Sequence, residues 1–109
     1  MKTILFANAE LLTGDDIALA VLHYSGALAE AGLAETIEVP ILEADGSRGT
    51  ALMLVGPASM IVAVDAESRF GELIDEAAVA SLDQKIRQLR PTADTQAEQP
   101  ESVDWVEEI

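Results

Sequence analysis

Cysteine is absent from the chain. That excludes disulfides, thiolate nucleophiles and sulfur-ligated zinc, and it fits a reducing cytoplasm. Histidine occurs once, at His23, which leaves little scope for acid–base relays or histidine-rich metal sites. Aromatic residues make up only 4% of the sequence, with a single tryptophan at Trp105. Basic residues number 6 against 20 acidic ones, for a formal net charge of −14. Such a field repels phosphate backbones and anionic lipid surfaces, so neither nucleic acid nor membrane is an expected partner. The same charge keeps a half-apolar chain in solution. Long apolar runs are missing too. The longest, residues 51–64, is interrupted by Gly56, Pro57 and Ser59 and falls short of a bilayer span. The first residues are too polar and too short for a signal core, with Lys2, Asn8 and Glu10 around residues 4–7. The expected location is therefore cytoplasmic.

What is present suits one domain. The chain has 109 residues, half of them apolar, which is enough for a core without staples. Residues 35–74 read as an antiparallel meander, with short apolar runs separated by turn signals. Ile37, Val39 and Ile41 alternate with Glu38 and Pro40, so one face is buried and the other wet. Pro40 has no amide hydrogen and points to an edge or a bulge. Residues 45–49 form a turn. Residues 51–55 are apolar on both faces, the pattern of a central strand. Gly56, Pro57 and Ser59 turn the chain into a second apolar run at 60–64. Phe70, Glu72 and Ile74 suggest a short last strand. Before the meander, residues 3–7 read as a strand that either turns at Asn8–Ala9 into residues 10–12, a weak hairpin signal, or runs into a loop.

Two helices flank these strands. The first is expected to start at Thr13 as N-cap, with Asp16 completing a capping box and Leu12 stapling on Ile17. It ends at Gly32 in a Schellman motif with Leu28 and Leu33. Ile17, Val21, Tyr24 and Leu28 form its stripe, widened by Ala20, Ala27 and Ala31. Leu19 and Leu22 lie partly off that stripe, which makes them candidates for a subunit contact. The second helix starts after Asp75 as N-cap, with Ile74 and Val79 as the staple pair. Its stripe is Val79, Leu82, Ile86 and Leu89. Lys85, Arg87 and Arg90 complement the negative end of its dipole, and Pro91 stops it.

Composition then changes. Residues 1–90 form the α+β domain, 91–102 a polar acidic linker, and 103–109 an apolar and acidic docking segment. In that segment Val103, Trp105, Val106 and Ile109 share helical spacing. Burying four such side chains gains about 6 to 12 kcal/mol. Ordering seven residues costs about 7 to 14 kcal/mol. The terms nearly cancel, so the segment needs a groove or a strand edge. It can pack on its own domain, on a sister subunit, or on another protein.

Chemistry-bearing residues are sparse. His23 shares its side of the helix with Asp16 and Glu30, but each is about 10 Å away along the axis, too far to share an ion. Ser25 and Ser59 have no obvious base. Asp45, Gly46 and Ser47 resemble the start of a calcium loop but lack its closing glutamate. Asp15–Asp16 and Asp75–Glu76 sit at helix starts, where capping explains them. No cofactor, metal or catalytic residue is assigned. The expected fold is a two-layer α+β domain, with an antiparallel sheet of five or six strands and two helices on one face. The expected function is that of a non-enzymatic interaction module, homodimeric, with the C-terminal segment as a further contact. The alternative is a small-ligand-binding domain with a pocket between helices and sheet.

Overall fold

The computed structural model describes residues 1–89; residues 90–109, with the expected linker and docking segment, lie outside them. The elements run β1 (Lys2–Phe6), β2 (Ala9–Thr13), α1 (Asp15–Ala31), β3 (Glu35–Leu42), β4 (Arg48–Val55), β5 (Ile61–Asp65) and α2 (Glu76–Leu89). All five strands join one antiparallel sheet in the order β4-β3-β2-β1-β5. This is the expected α+β class, with five strands. No strand forms at 70–74. The first hairpin turns at Ala7–Asn8, one residue earlier than expected, with Ala7 at φ 55° in the left-handed region.

The core follows the alternation in the strands and the stripe on α1. Ile4, Ile37, Val39, Met53 and Val55 point inward from the sheet and meet Ile17, Val21, Tyr24 and Leu28 of α1. Ala20 and Ala27 are buried as expected, whereas Ala31 is exposed. The second helix packs chiefly on α1. It contributes Leu82 to the core, with Val79, Ile86 and Leu89 partly buried beside it.

Three of the four helix ends can be compared with their sequence signals. At the C-terminus of α1, Gly32 is left-handed at φ 70°. Its N–H donates to Ala29 O at 3.1 Å, and Leu33 N–H donates to Leu28 O at 3.0 Å, which completes the Schellman pattern. Asp75 caps α2, accepting the Ala78 N–H at 3.0 Å and an Arg48 guanidinium N–H at 2.8 Å.

The start of α1 departs from expectation. Its N-cap is Gly14, and no side chain of its own caps it. Thr13 is buried in β2 instead, donating its hydroxyl to Pro40 O at 2.7 Å. With the cap shifted by one residue, the capping box with Asp16 and the Leu12–Ile17 staple are both out of register. The capping carboxylate comes from far along the chain, where Glu72 accepts the Asp15 N–H at 2.6 Å. Its other oxygen lies 2.9 Å from the Met1 ammonium. Glycine is required at 14 because a Cβ there would lie 1.9 Å from the Leu73 carbonyl oxygen. The stretch that alternation marked as a sixth strand is thus an irregular segment laid across the head of α1.

Serine is ordinarily a better N-cap than glycine. Gly14→Ser is nevertheless expected to destabilise the fold by about 1–3 kcal/mol in urea denaturation, because the added carbon displaces backbone. The Glu72 carboxyl is held below its ordinary pKa of 4.5, first by the Asp15 N–H and then by the Met1 ammonium. A depressed carboxyl contributes stability above the unfolded value and loses it as pH falls through the folded one. Wild type should therefore melt above Glu72→Gln at neutral pH, and the gap should close as pH falls below about 4.5.

Candidate functional site

Two surfaces stand out among the described residues, and both arise from how β3 and β4 are placed. The hairpin β3–β4 pairs along its full length, from Glu35–Val55 to Leu42–Arg48. It joins the rest of the sheet by a single bridge, Leu12–Leu42, reinforced by the Thr13–Pro40 hydrogen bond. One consequence is that β4, apolar on both faces, is an edge strand and not the central strand its pattern suggested. Met53 and Val55 enter the core, while Leu52 and Leu54 stay 69% and 62% exposed.

Strand geometry fixes what β4 offers. The Pro40 carbonyl accepts from Thr13 of β2, so the polar groups of Pro40 point away from β4. Pro40 and Thr50 are register partners and hence a non-hydrogen-bonded pair. Backbone polar groups repeat every second residue, so those of Thr50, Leu52 and Leu54 face outward from the sheet. The turn at 56–60 then carries the chain to β5, the opposite edge. Ser59 closes this turn, donating its N–H to Gly56 O and accepting the Gly56 N–H. A shallow apolar hollow of about 480 Å³ lies there, lined by Phe6, Ala7, Ala34, Leu54 and the turn. Met60, 84% exposed, stands at its rim. Val62 and Val64 continue the outward apolar surface along β5, with Leu5 opposite Val62 on β1. None of the 20 acidic residues falls between positions 48 and 64.

The second surface is a polar groove of about 540 Å³ between β3 and α2. Thr36, Glu38 and Pro40 line one wall, and Ala77, Ala78 and Ser81 the other. Asp75, bridged to Arg48, marks one end. Lys85 marks the other, its ammonium 3.8 Å from Glu35 and 5.8 Å from the Tyr24 ring centre. The Tyr24 hydroxyl donates to Glu35. Burial, and then that hydrogen bond, push the phenol up to about 12, so it remains a donor at neutral pH.

No protein-family model matches the chain, and neither does any curated protein or solved structure.

His23 is exposed on α1, in a hollow it shares with Leu22, Glu30, Asp83 and Arg87. Leu19 is half exposed, and Leu22 is half-buried in that hollow beside α2. The structure does not bring these two leucines to either surface above. Asp45 accepts the N–H and hydroxyl of Ser47, which hold its carboxyl below the usual range and tie a turn. Among the described residues, no three His, Asp or Glu side chains are grouped to hold a metal ion. No helix among them is long and apolar enough to cross a membrane. Val103, Trp105, Val106 and Ile109 lie outside the described residues.

Sequence reasoning missed the exposed face of β4. An apolar run on both faces signals burial on both, and its edge position depends on where β3 meets β2. The Thr13 hydroxyl is the testable element of that seam. Thr13→Val keeps the shape but leaves Pro40 O without its donor, at an expected cost of about 1–3 kcal/mol. Hydrogen exchange should then rise first in β3 and β4 and less in β1.

Proposed function

We propose that this chain is a non-enzymatic interaction module that pairs with a second copy of itself through β4 and the turn that follows it. The observation that carries the reading is the pair Leu52 and Leu54, exposed on an eight-residue edge strand whose outer backbone groups are free to pair. A long apolar edge is a template for another strand, and natural proteins cover such edges. A strand pairs with its own copy about a two-fold axis without needing a second kind of surface. The hollow beside Met60 gives each copy an apolar recess next to that edge. The absence of acidic residues from 48 to 64 means that β4 and the turn bring no carboxylate of their own to the contact, and Glu35 and Glu38 on β3 are the ones paired across the hairpin.

The expected site of action is the cytoplasm, in line with the lack of cysteine. The tail with Trp105 is a further expected contact, on a sister copy or a different protein.

Light scattering of the full chain should give twice its 11.5 kDa mass at tens of micromolar. The double substitution Leu54→Glu with Met60→Glu should return the single-chain mass with an unchanged circular dichroism spectrum. Salt gives a second check. Raising ionic strength from about 0.01 to 1 M shortens the screening length from about 30 to 3 Å. Two copies of charge −14 should associate more tightly as salt rises. A wild-type chain that stays monomeric at every salt concentration would sink the reading.

A further inference from the structure

The edge of β3 that faces α2 carries hydrogen-bonding groups that the fold leaves unused. Pro40 O accepts from Thr13, and Leu42 pairs with Leu12, so both residues direct their polar groups away from β4. The same parity places the N–H and C=O of Thr36 and Glu38 on that side. The ladder with β2 does not reach them, since Leu12–Leu42 is its one register pair. Among the described residues no hydrogen bond is made to them across the groove. The facing wall of α2 is built from Ala77, Ala78 and Ser81, short side chains that leave room for a backbone. A groove with one wall a free strand edge suits an extended chain better than a compact ligand, because the edge repeats its donors and acceptors along a line.

Charge selects the occupant. Asp75 and Glu35 at the two ends each have a cation, Arg48 at 2.8 Å and Lys85 at 3.8 Å. Glu38, between them, pairs with no cation among the described residues. The chain's own residues 91–109 include six acidic residues and no basic one, and a second copy carries −14. Both are repelled. We propose that this groove binds an extended basic segment of a partner protein, which adds as a strand to the free edge of β3 with a lysine or arginine beside Glu38. The peptide would use the side of β3 that faces away from β4, whereas the dimer would use the outer edge of β4, although Glu38 and Leu52 are cross-strand neighbours.

The test uses the full chain and fluorescence anisotropy with labelled nonapeptides. One alternates lysine and valine, one alternates glutamate and valine, and one is the lysine peptide methylated on alternate backbone nitrogens. The lysine peptide should bind one per chain and weaken as salt rises, the reverse of the dimer's response. The other two should bind at least tenfold more weakly. Thr36→Pro removes an unused donor just as Pro40 already does, and should weaken the lysine peptide about tenfold without shifting the melt. Ser81→Trp should fill the groove and abolish binding. Leu54→Glu with Met60→Glu, which places a carboxylate on β4 opposite Thr36, should bind the lysine peptide at least as tightly as wild type, so failure of the dimer and failure of the groove are told apart. Should either groove variant misfold, amide shifts on the wild-type chain decide, and they should centre on residues 35–40 and 77–85. Equal binding of the methylated peptide, preference for the acidic peptide, shifts elsewhere, or no binding of the lysine peptide would each overturn the proposal.

Discussion

The joint between β2 and β3 governs this structure. One bridge pair and one buried hydroxyl, Leu12–Leu42 and Thr13 to Pro40 O, connect a three-stranded unit to a two-stranded hairpin. Beyond that joint β2 ends and the chain turns into α1, so β3 continues without a neighbour on that side. The stripe of α1 is buried with Ile4 of β1 and with Ile37, Val39, Met53 and Val55 of the hairpin, so the helix spans the inner face on both sides of the joint. The helix α2 then packs on α1 and lies alongside the free part of β3. The polar groove and the outward position of β4 both follow from the same early end of β2.

How much of this can be read in the sequence depends on how local each cause is. The stop of α1 is local, because Gly32, Leu28 and Leu33 are one turn apart, and it is as the motif predicts. The start of α2 is local for the same reason, with Asp75 three residues before Ala78. The start of α1 is not. Its capping carboxylate is 57 positions away in Glu72, and Gly14 answers to a backbone carbonyl in Leu73. Periodicity also describes which faces are apolar without saying how many neighbours a strand has. Residues 51–55 show the limit of that signal, since two apolar faces fit a central strand and an edge strand waiting for a partner equally well. Pro40, expected to mark an edge or a bulge, lies in a strand between β4 and β2, beside the single Leu12–Leu42 bridge where the pairing with β2 gives out. A missing donor inside an otherwise well-patterned strand means that one of its sides is unpaired there.

Acidic residues and exposed apolar residues are segregated along the chain. The acidic residues flank a window from 48 to 64 that contains none, and that window holds β4, the turn and most of β5. The fold builds β4 and nearly all of β5, the two outer strands of the sheet, from this one window without acidic residues. An acidic body with an edge strand that carries no carboxylate resists indiscriminate clustering while leaving one direction open for association.

The crossing of residues 72–73 over Gly14 sets an order of events during synthesis. The first turn of α1 emerges early, yet the acceptor for its leading amide is made 57 residues later. Until Glu72 leaves the ribosome, the head of α1 has no cap from that carboxylate and Gly14 has no backbone above it. Helix nuclei are costly and tertiary contacts must stabilise them, so α1 gains its final register only when most of the chain is available. A nascent chain stalled before that point would hold the strands and the body of α1 but not its head. The segment that looks like a mere connection to α2 is therefore the clasp that closes the head of α1.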